Sequence, residues 1–238
     1  MTAAPTPSWF LDELAFAGRE NLDPVHVSRY DDKEDAGAVE EVALLQRVGL
    51  TERSVVVDVG AGTGQFTVAV ALSCAKVIAV DVSPVMLRRL ETKVATMGLT
   101  NVRLVQAGFL TYEHGGPPVD LVYSRFALHH LPDFWKAVAL ARMRRILRPG
   151  GVLRLADVVY DFQPAEVEDG IEAWCATGGD GLRIETEWSR AELEEHVRDE
   201  HSTFTWILEP MIERCGFAIE RAEHSDDRIF AAYVLRAI

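Results

Sequence analysis

Two carboxylates and three glycines set the first chemical question in this chain. Asp58 closes the apolar run "VVVDV", and Gly60, Gly62 and Gly64 follow it with Ala61 in "GAGTG". Glycine lets the backbone turn tightly and approach a ligand, and a helix starting beyond it offers free N–H groups. Asp81 ends a second apolar run, "KVIAVD", 21 residues after Gly60. An acid at that place accepts hydrogen bonds from both hydroxyls of a ribose, so loop and acid together point to a nucleoside. Taken singly, the glycines also fit an ordinary strand-to-helix turn, and Asp81 a turn residue before Ser83. A phosphate-cradling loop requires Lys after the last glycine, and the dinucleotide spacing G-x-G-x-x-G requires glycine at 65; Gln65 satisfies neither. The spacing fits a ligand without a pyrophosphate.

Other side chains are candidates for moving protons. His129 and His130 follow the run "VDLVYSRFAL" and are the best placed of seven histidines for a general base, the alternative being that they cap or pack the turn into "LPDFW". His196 and His201 lie in an acidic stretch and could line a substrate cavity, although the plainer reading is that they are surface residues. Trp174, Trp188 and Trp206 are suited to an aromatic or choline-like ligand, although at helical positions they more often serve a core. Cys74, Cys175 and Cys215 are too scattered for disulfides or zinc, and Asp157 with Asp161 make a thin case for a cation. No metal is expected.

The elements that must position these groups alternate. "SVVVDVG", "KVIAVDVS", "VRLVQAGF", "VDLVYSRFAL" and "VLRLADVVY" read as buried strands, separated by helical stretches. Ser83-Pro84 is an N-cap with proline at the first helical position, Gly98 a C-cap, and Pro149-Gly150-Gly151 a terminator. "AGAVEEVALLQRVGL" places Val39, Val42, Leu45 and Val48 on one helical face. Beyond "VVY" the alternation stops. A polar helical stretch follows, with Ser189 and Glu192 as a capping box, then "TFTWILEPMIERC" with an internal Pro210 and a closing Gly216. "FAIERAEH" and "RIFAAYVLRA" form a terminal hairpin. A parallel sheet covered by helices on both faces, with its last strand antiparallel, is the expected α/β architecture.

The net charge of −13 argues against a polyanionic partner, because nucleic-acid binding runs on clustered Lys and Arg. From Asp161 to Glu200 there are 13 acidic and 3 basic residues. A solvated surface is the plain reading, and a region attracting a cationic or neutral substrate the sharper one. No apolar run reaches the roughly 20 residues of a membrane span, and the first residues lack a signal-peptide pattern, so a cytoplasmic protein is expected.

Together, "VVVDVGAGTGQFT", "VIAVDVS", "DLVYSRFALHHLPD" and "LRPGGVLRLADV" resemble the Rossmann-like, class I S-adenosylmethionine-dependent methyltransferases of small-molecule type. The resemblance implies a seven-stranded, mostly parallel sheet with helices on both faces, an antiparallel last strand and a helical cap insertion. It divides the chain into an N-terminal lid (1–35), the cofactor core (36–160), an acidic cap (161–203) and a C-terminal helix and hairpin completing the core (204–238). It implies S-adenosylmethionine as cofactor, with Asp58, Gly60, Ala61, Gly62 and Gly64 near its methionine end and ribose. Asp81 would hold the ribose, and Val82 and Met86 the adenine. Many relatives carry an Asp after the third strand for the adenine amine; here "VQAGFL" has Gly108, with Phe109 against the ring. Ser124 and Arg125 would face the cleft at the carboxyl edge of the sheet.

In "SRYDDKED", Tyr30 would be a lid residue near the sulfonium, with Asp31 and Lys33 beside it, the alternative being an exposed linker. His130, His129 and Tyr30 are the catalytic candidates. The N-P-P-Y or D-P-P-Y signature of nucleobase-modifying relatives is absent, since Pro117-Pro118 precede their strand. The expectation is methyl transfer to a small-molecule acceptor by a monomer or homodimer, without nucleic acid or membrane. The rival readings are a non-catalytic S-adenosylmethionine-binding regulator and an NAD-dependent oxidoreductase.

Overall fold

Helices α1 (Pro24–Lys33) and α2 (Ala38–Val48) precede a run of alternating strands and helices: β1 (Val55–Val59), α3 (Gln65–Ala71), β2 (Lys76–Asp81), α4 (Pro84–Thr96), β3 (Val102–Gln106), β4 (Val119–Arg125), α5 (Asp133–Ile146) and β5 (Leu147–Tyr160). Two cap helices follow, α6 (Val167–Cys175) and α7 (Arg190–Asp199), then β6 (Thr203–Phe204), α8 (Thr205–Arg214), β7 (Phe217–His224) and β8 (Phe230–Ala237). The structure is a computed structural model that describes residues 7–18, 21–33, 37–179 and 188–238, with Asp32 and Lys33 as backbone alone. The expected place of the Lys33 side chain beside Tyr30, and residues 180–187 of the expected acidic cap, lie outside the described residues.

The sheet runs β3-β2-β1-β4-β5-β8-β7. β1 through β5 pair in parallel, and β8 is antiparallel to both β5 and β7. These seven strands are the expected ones. The further two-residue β6 pairs parallel with Val159 and Tyr160, and it straddles the boundary expected at 203. β5 begins at Leu147, five residues before its apolar run, because Arg148–Gly151 form an irregularity between the Val119–Leu147 and Leu121–Val152 pairs.

Strand periodicity divides the core. Val57, Val59, Ile78, Val80, Val122, Leu153 and Leu155 pack on one face with Trp135, Leu140 and Met143 of α5 and Leu208 and Ile212 of α8. Val56, Val77, Leu121, Tyr123 and Val152 pack on the other with Leu45 of α2 and Phe66 and Val70 of α3. Runs apolar at every position are what a sheet covered on both faces requires. A third cluster, Tyr160, Phe162, Trp174, Cys175 and Leu193, joins α6 and α7 to the end of β5. Trp174 is therefore core, while Trp188 and Trp206 are partly exposed. One expectation for α2 fails. Val39 is 74% exposed, and Leu44 is buried together with Val42 and Leu45. Among the described residues no helix is long and apolar enough to cross a membrane.

Candidate functional site

The order 3-2-1-4-5 reverses between β1 and β4, and ligands of open α/β sheets bind at the carboxyl ends of the strands beside such a reversal. The glycine loop lies there. Gly60 and Ala61 donate their N–H groups to Val80 O (2.9 and 3.1 Å), tying the loop to β2. Gly62 N donates to Asp81 Oδ2 (2.8 Å) and Ser83 N to Oδ1 (2.7 Å), so Asp81 is aimed by backbone on both sides. Burial pushes its carboxyl up to about 6, even though both N–H groups favour the charged form. Asp58 is also buried; Thr67 Oγ1 donates to its Oδ2 (2.5 Å), and burial raises its carboxyl to about 7.

The three glycines have positive φ for different reasons. A Cβ on Gly60 would overlap Ala127, and one on Gly64 would overlap Leu90 of α4, whereas one on Gly62 meets no protein atom within 4 Å. Gly64 therefore serves packing and Gly62 an open approach. Gly64→Ala is expected to cost about 3 kcal/mol or more, combining a left-handed backbone with overpacking. Gly62→Ala costs about 1–2 kcal/mol. Urea melts check this order, and ligand titration should find the larger affinity loss per unit of stability in Gly62→Ala.

The open side of Gly62 gives onto a cavity of about 640 Å3, including its solvent-filled mouth. Of the residues singled out from the sequence, it is lined by Tyr30, Gly60, Gly62, Asp81, Val82, Met86, Gly108, Phe109, Arg125 and His130. Asp58, Ala61, Gly64, Ser124 and His129 are not on its wall. Ser124 Oγ is buried without a hydrogen-bond partner.

The N-terminal segment fastens over this cavity. Thr63 Oγ1 and Gln65 Nε2 donate to Asp31 Oδ1 (2.5 and 3.2 Å), and Lys93 meets its Oδ2 at 2.7 Å. These partners outweigh desolvation and hold the Asp31 carboxyl below its usual range. Ser83 Oγ donates to Asn21 O (2.6 Å). Glu13, which the sequence did not single out, is 7% exposed on the 3₁₀ turn Glu13–Phe16 and reaches the cavity wall. It accepts from Leu110 N (3.0 Å) and Thr111 Oγ1 (2.9 Å). A Cβ on Gly108 would fall within 2.7 Å of both its carboxylate oxygens. Glu13 thus puts its acid at the place where position 108 lacks one. Only a glycine facing a distant acid would have hinted at this pairing.

Behind the cavity the two histidines differ. His129 is 6% exposed and lies between Asp157 Oδ1 (2.5 Å from Nδ1) and Glu200 Oε2 (2.9 Å from Nε2). Although burial lowers its pKa, the two carboxylates raise it to about 10. His130 reaches the cavity, and burial with the neighbouring His129 charge lowers it to about 3. His196, expected on the surface, packs on His129 instead, with ring centroids 5.1 Å apart.

Comparison with known proteins finds that residues 56–151 match the methyltransferase domain family. An uncharacterised methyltransferase of Mycobacterium bovis is 30% identical over 158 residues, covering 60% of this chain and 75% of that protein. A trans-aconitate 2-methyltransferase of Methylobacterium radiotolerans is 32% identical over 165 residues, covering 66% and 58% of the two chains. The fold is shared with magnesium protoporphyrin IX methyltransferase from Synechocystis, solved with bound SAM. The TM-score is 0.65 at 14% identity, covering 98% of this chain and all of that one.

Proposed function

We propose, from the premise that this chain belongs to the Rossmann-like S-adenosylmethionine-dependent methyltransferases, that its acceptor is a small molecule held in the cavity between Asp81 and His130. The cofactor is S-adenosylmethionine, which when bound supplies an activated methyl group on a sulfonium. The observation that carries the reading is one cavity with a backbone-aimed carboxylate and an open glycine at one end, and an arginine and a histidine on the same wall. Family membership counts against the NAD-dependent reading, and turnover of any acceptor would exclude the non-catalytic one.

In this reading Asp81 accepts from both ribose hydroxyls, each acid oxygen keeping a lone pair beyond its backbone contact. Val82, Met86 and Phe109 pack against the adenine. Gly60, Ala61, Gly62 and Gly64 shape the loop, with Asp58 beneath it setting the field felt by the ligand's ammonium. Tyr30, on the fastened N-terminal segment, closes the roof and excludes water. Alignment of the acceptor with the methyl group in such an enclosure contributes on the order of 7–11 kcal/mol. His130 and Tyr30 are the candidates for touching the acceptor. His129, off the wall and gripped by Asp157 and Glu200, is a positioning residue, and Ser124 supplies a polar group at the end of β4.

Glu13 replaces the absent acid at 108 as acceptor for the adenine amine. Glu13→Ala should weaken binding of S-adenosylhomocysteine about tenfold or more, the worth of one hydrogen bond to a charged group. The analogue with an oxygen in place of the amine should lose less, because that oxygen has no proton to donate to Glu13. Equal losses for both ligands would refute this role.

Arg125 on the wall is suited to a carboxylate, and relatives named trans-aconitate 2-methyltransferase put small carboxylic acids first in the acceptor panel. The test is mass-spectrometric methyl transfer to small acids, phenols and amines, beside protein and nucleic-acid acceptors. Turnover of a small acceptor supports the reading; methyl transfer to the macromolecules alone defeats it.

A further inference from the structure

Glu200, at the end of α7, buries its Oε2 away from solvent. Three ring nitrogens crowd it: His129 Nε2 at 2.9 Å, His196 Nδ1 at 2.8 Å and His130 Nδ1 at 3.9 Å. The ring nitrogens and the carboxylate oxygen converge on one point, and an ion bound there displaces to solvent the Nε2 proton that His129 carries between its two carboxylates. Tetrahedral bonds of about 2.0–2.1 Å imply ligand-to-ligand edges of roughly 3.4 Å, and the observed separations bracket that value.

We infer that His129, His130 and Glu200 form a binding site for a borderline divalent transition-metal ion, Zn2+ or Fe2+. Among the described residues these three are the group whose donor atoms all lie within 4.8 Å of one another. Two imidazoles and a carboxylate suit zinc and also ferrous iron, whereas Mg2+ and Ca2+ require oxygen ligands.

The surroundings are those of a metal site. Asp157 takes His129 Nδ1, and so fixes which nitrogen faces inward, as the carboxylate partner of a ligating histidine does. Asp157 is itself held by the N–H groups of Leu128 (2.8 Å) and Val158 (2.8 Å). His196 stands one helical turn before Glu200, its Nδ1 2.8 Å from Oε2 and its Nε2 2.8 Å from Ser202 Oγ, and steadies the carboxylate. The backbone is fastened too, since His201 N donates to His129 O (2.9 Å).

Three protein ligands leave a position for water or substrate, and His130 places the ion at the border of the cavity. An ion there would polarise an acceptor oxygen and ease loss of its proton. This consequence rests on the methyl-transfer reading; metal binding itself does not.

The test uses the full chain, stripped with a chelator and titrated with Co2+ while its visible absorption is followed. Competition by Zn2+, and by Fe2+ under anaerobic conditions, separates the two candidate ions. Roughly one equivalent should bind with a visible band, and Glu200→Gln should weaken binding by about tenfold or more. His114→Asn, outside the cluster, should leave it unchanged. Far-UV circular dichroism and S-adenosylhomocysteine binding verify the fold of each variant. Absence of a stoichiometric band in folded wild type, or equal affinity in Glu200→Gln, overturns the site. Because the readout is metal binding, failure of the methyl-transfer reading leaves it standing, and the converse also holds.

Discussion

Asp81→Ala should lower affinity for S-adenosylhomocysteine by about 100-fold or more while leaving the unliganded protein folded. Two hydrogen bonds from ribose hydroxyls to a carboxylate are worth about 1.5–3 kcal/mol each. Their joint loss, at roughly 1.4 kcal/mol per factor of ten, gives that figure even after partial replacement by water. The fold is spared because opposing effects meet at this residue. Alanine gives up the acceptors for Gly62 N and Ser83 N, but it also removes a buried charge whose desolvation raises its pKa to about 6. In the unliganded chain a folded pKa above the unfolded one means that stability from this group is lost as pH rises from about 4 to 6. Ligand binding acts in the opposite direction. The ribose hydroxyls favour the ionised acid, so binding below pH 6 must release a proton. Wild-type affinity should fall about tenfold between pH 7 and pH 5. Calorimetry in buffers of different ionisation enthalpy measures both quantities. A ligand affinity in Asp81→Ala within a few-fold of wild type would show that the ribose lies elsewhere.

Glu41→Ala should be among the most destabilising single changes outside the cavity. Arg154, on the middle of β5, is 3% exposed, and its Nε and Nη2 meet both carboxylate oxygens of Glu41 on α2 at 2.8 and 2.6 Å. Glu223 on β7 lies farther away, at 3.7 Å. Burial lowers the guanidinium pKa, but Glu41 outweighs it and raises the net value. Breaking such a pair from one side strands a desolvated charge, at a cost of about 3–5 kcal/mol. For a chain of this size that lowers Tm by roughly 10 °C. Replacing both residues, as Glu41→Leu with Arg154→Met, should recover most of the loss, because the cost lies in the orphaned charge. If Glu41→Ala melts within a degree or two of wild type, the pair is not the clamp between α2 and the sheet.

The strand runs and the glycine loop were legible because they depend on neighbours in sequence. Alternation of β-branched runs with helical stretches, the Ser83 cap and the terminal hairpin are each specified within about a dozen residues, and each is present. Asp81 and the loop were readable for the same reason, since the turn that joins β1 to α3 and the end of β2 are adjacent in a parallel sheet. Val39 misled because helical periodicity defines a face without saying how wide the buried stripe is. The four-residue irregularity that starts β5 early carries turn residues, and only its pairing with Val119 makes it part of a strand.

The remaining features of the cavity depend on contacts between distant parts of the chain. Glu13 meets Leu110 across 97 residues, and Glu200 meets His129 from the far side of β5 and the cap helices, so no local spacing announces either. His196 looked like a surface residue on an acidic helix, but the small core around Trp174 packs α7 back on the end of β5, which brings His196 onto His129. Backbone preference and apolar periodicity act over short range, and they were enough to specify the sheet, the glycine loop and the acid at the end of β2. Tertiary structure decided which carboxylate faces Gly108 and which donors gather at Glu200. In a folded chain, burial drives polar groups to find partners wherever packing brings them together.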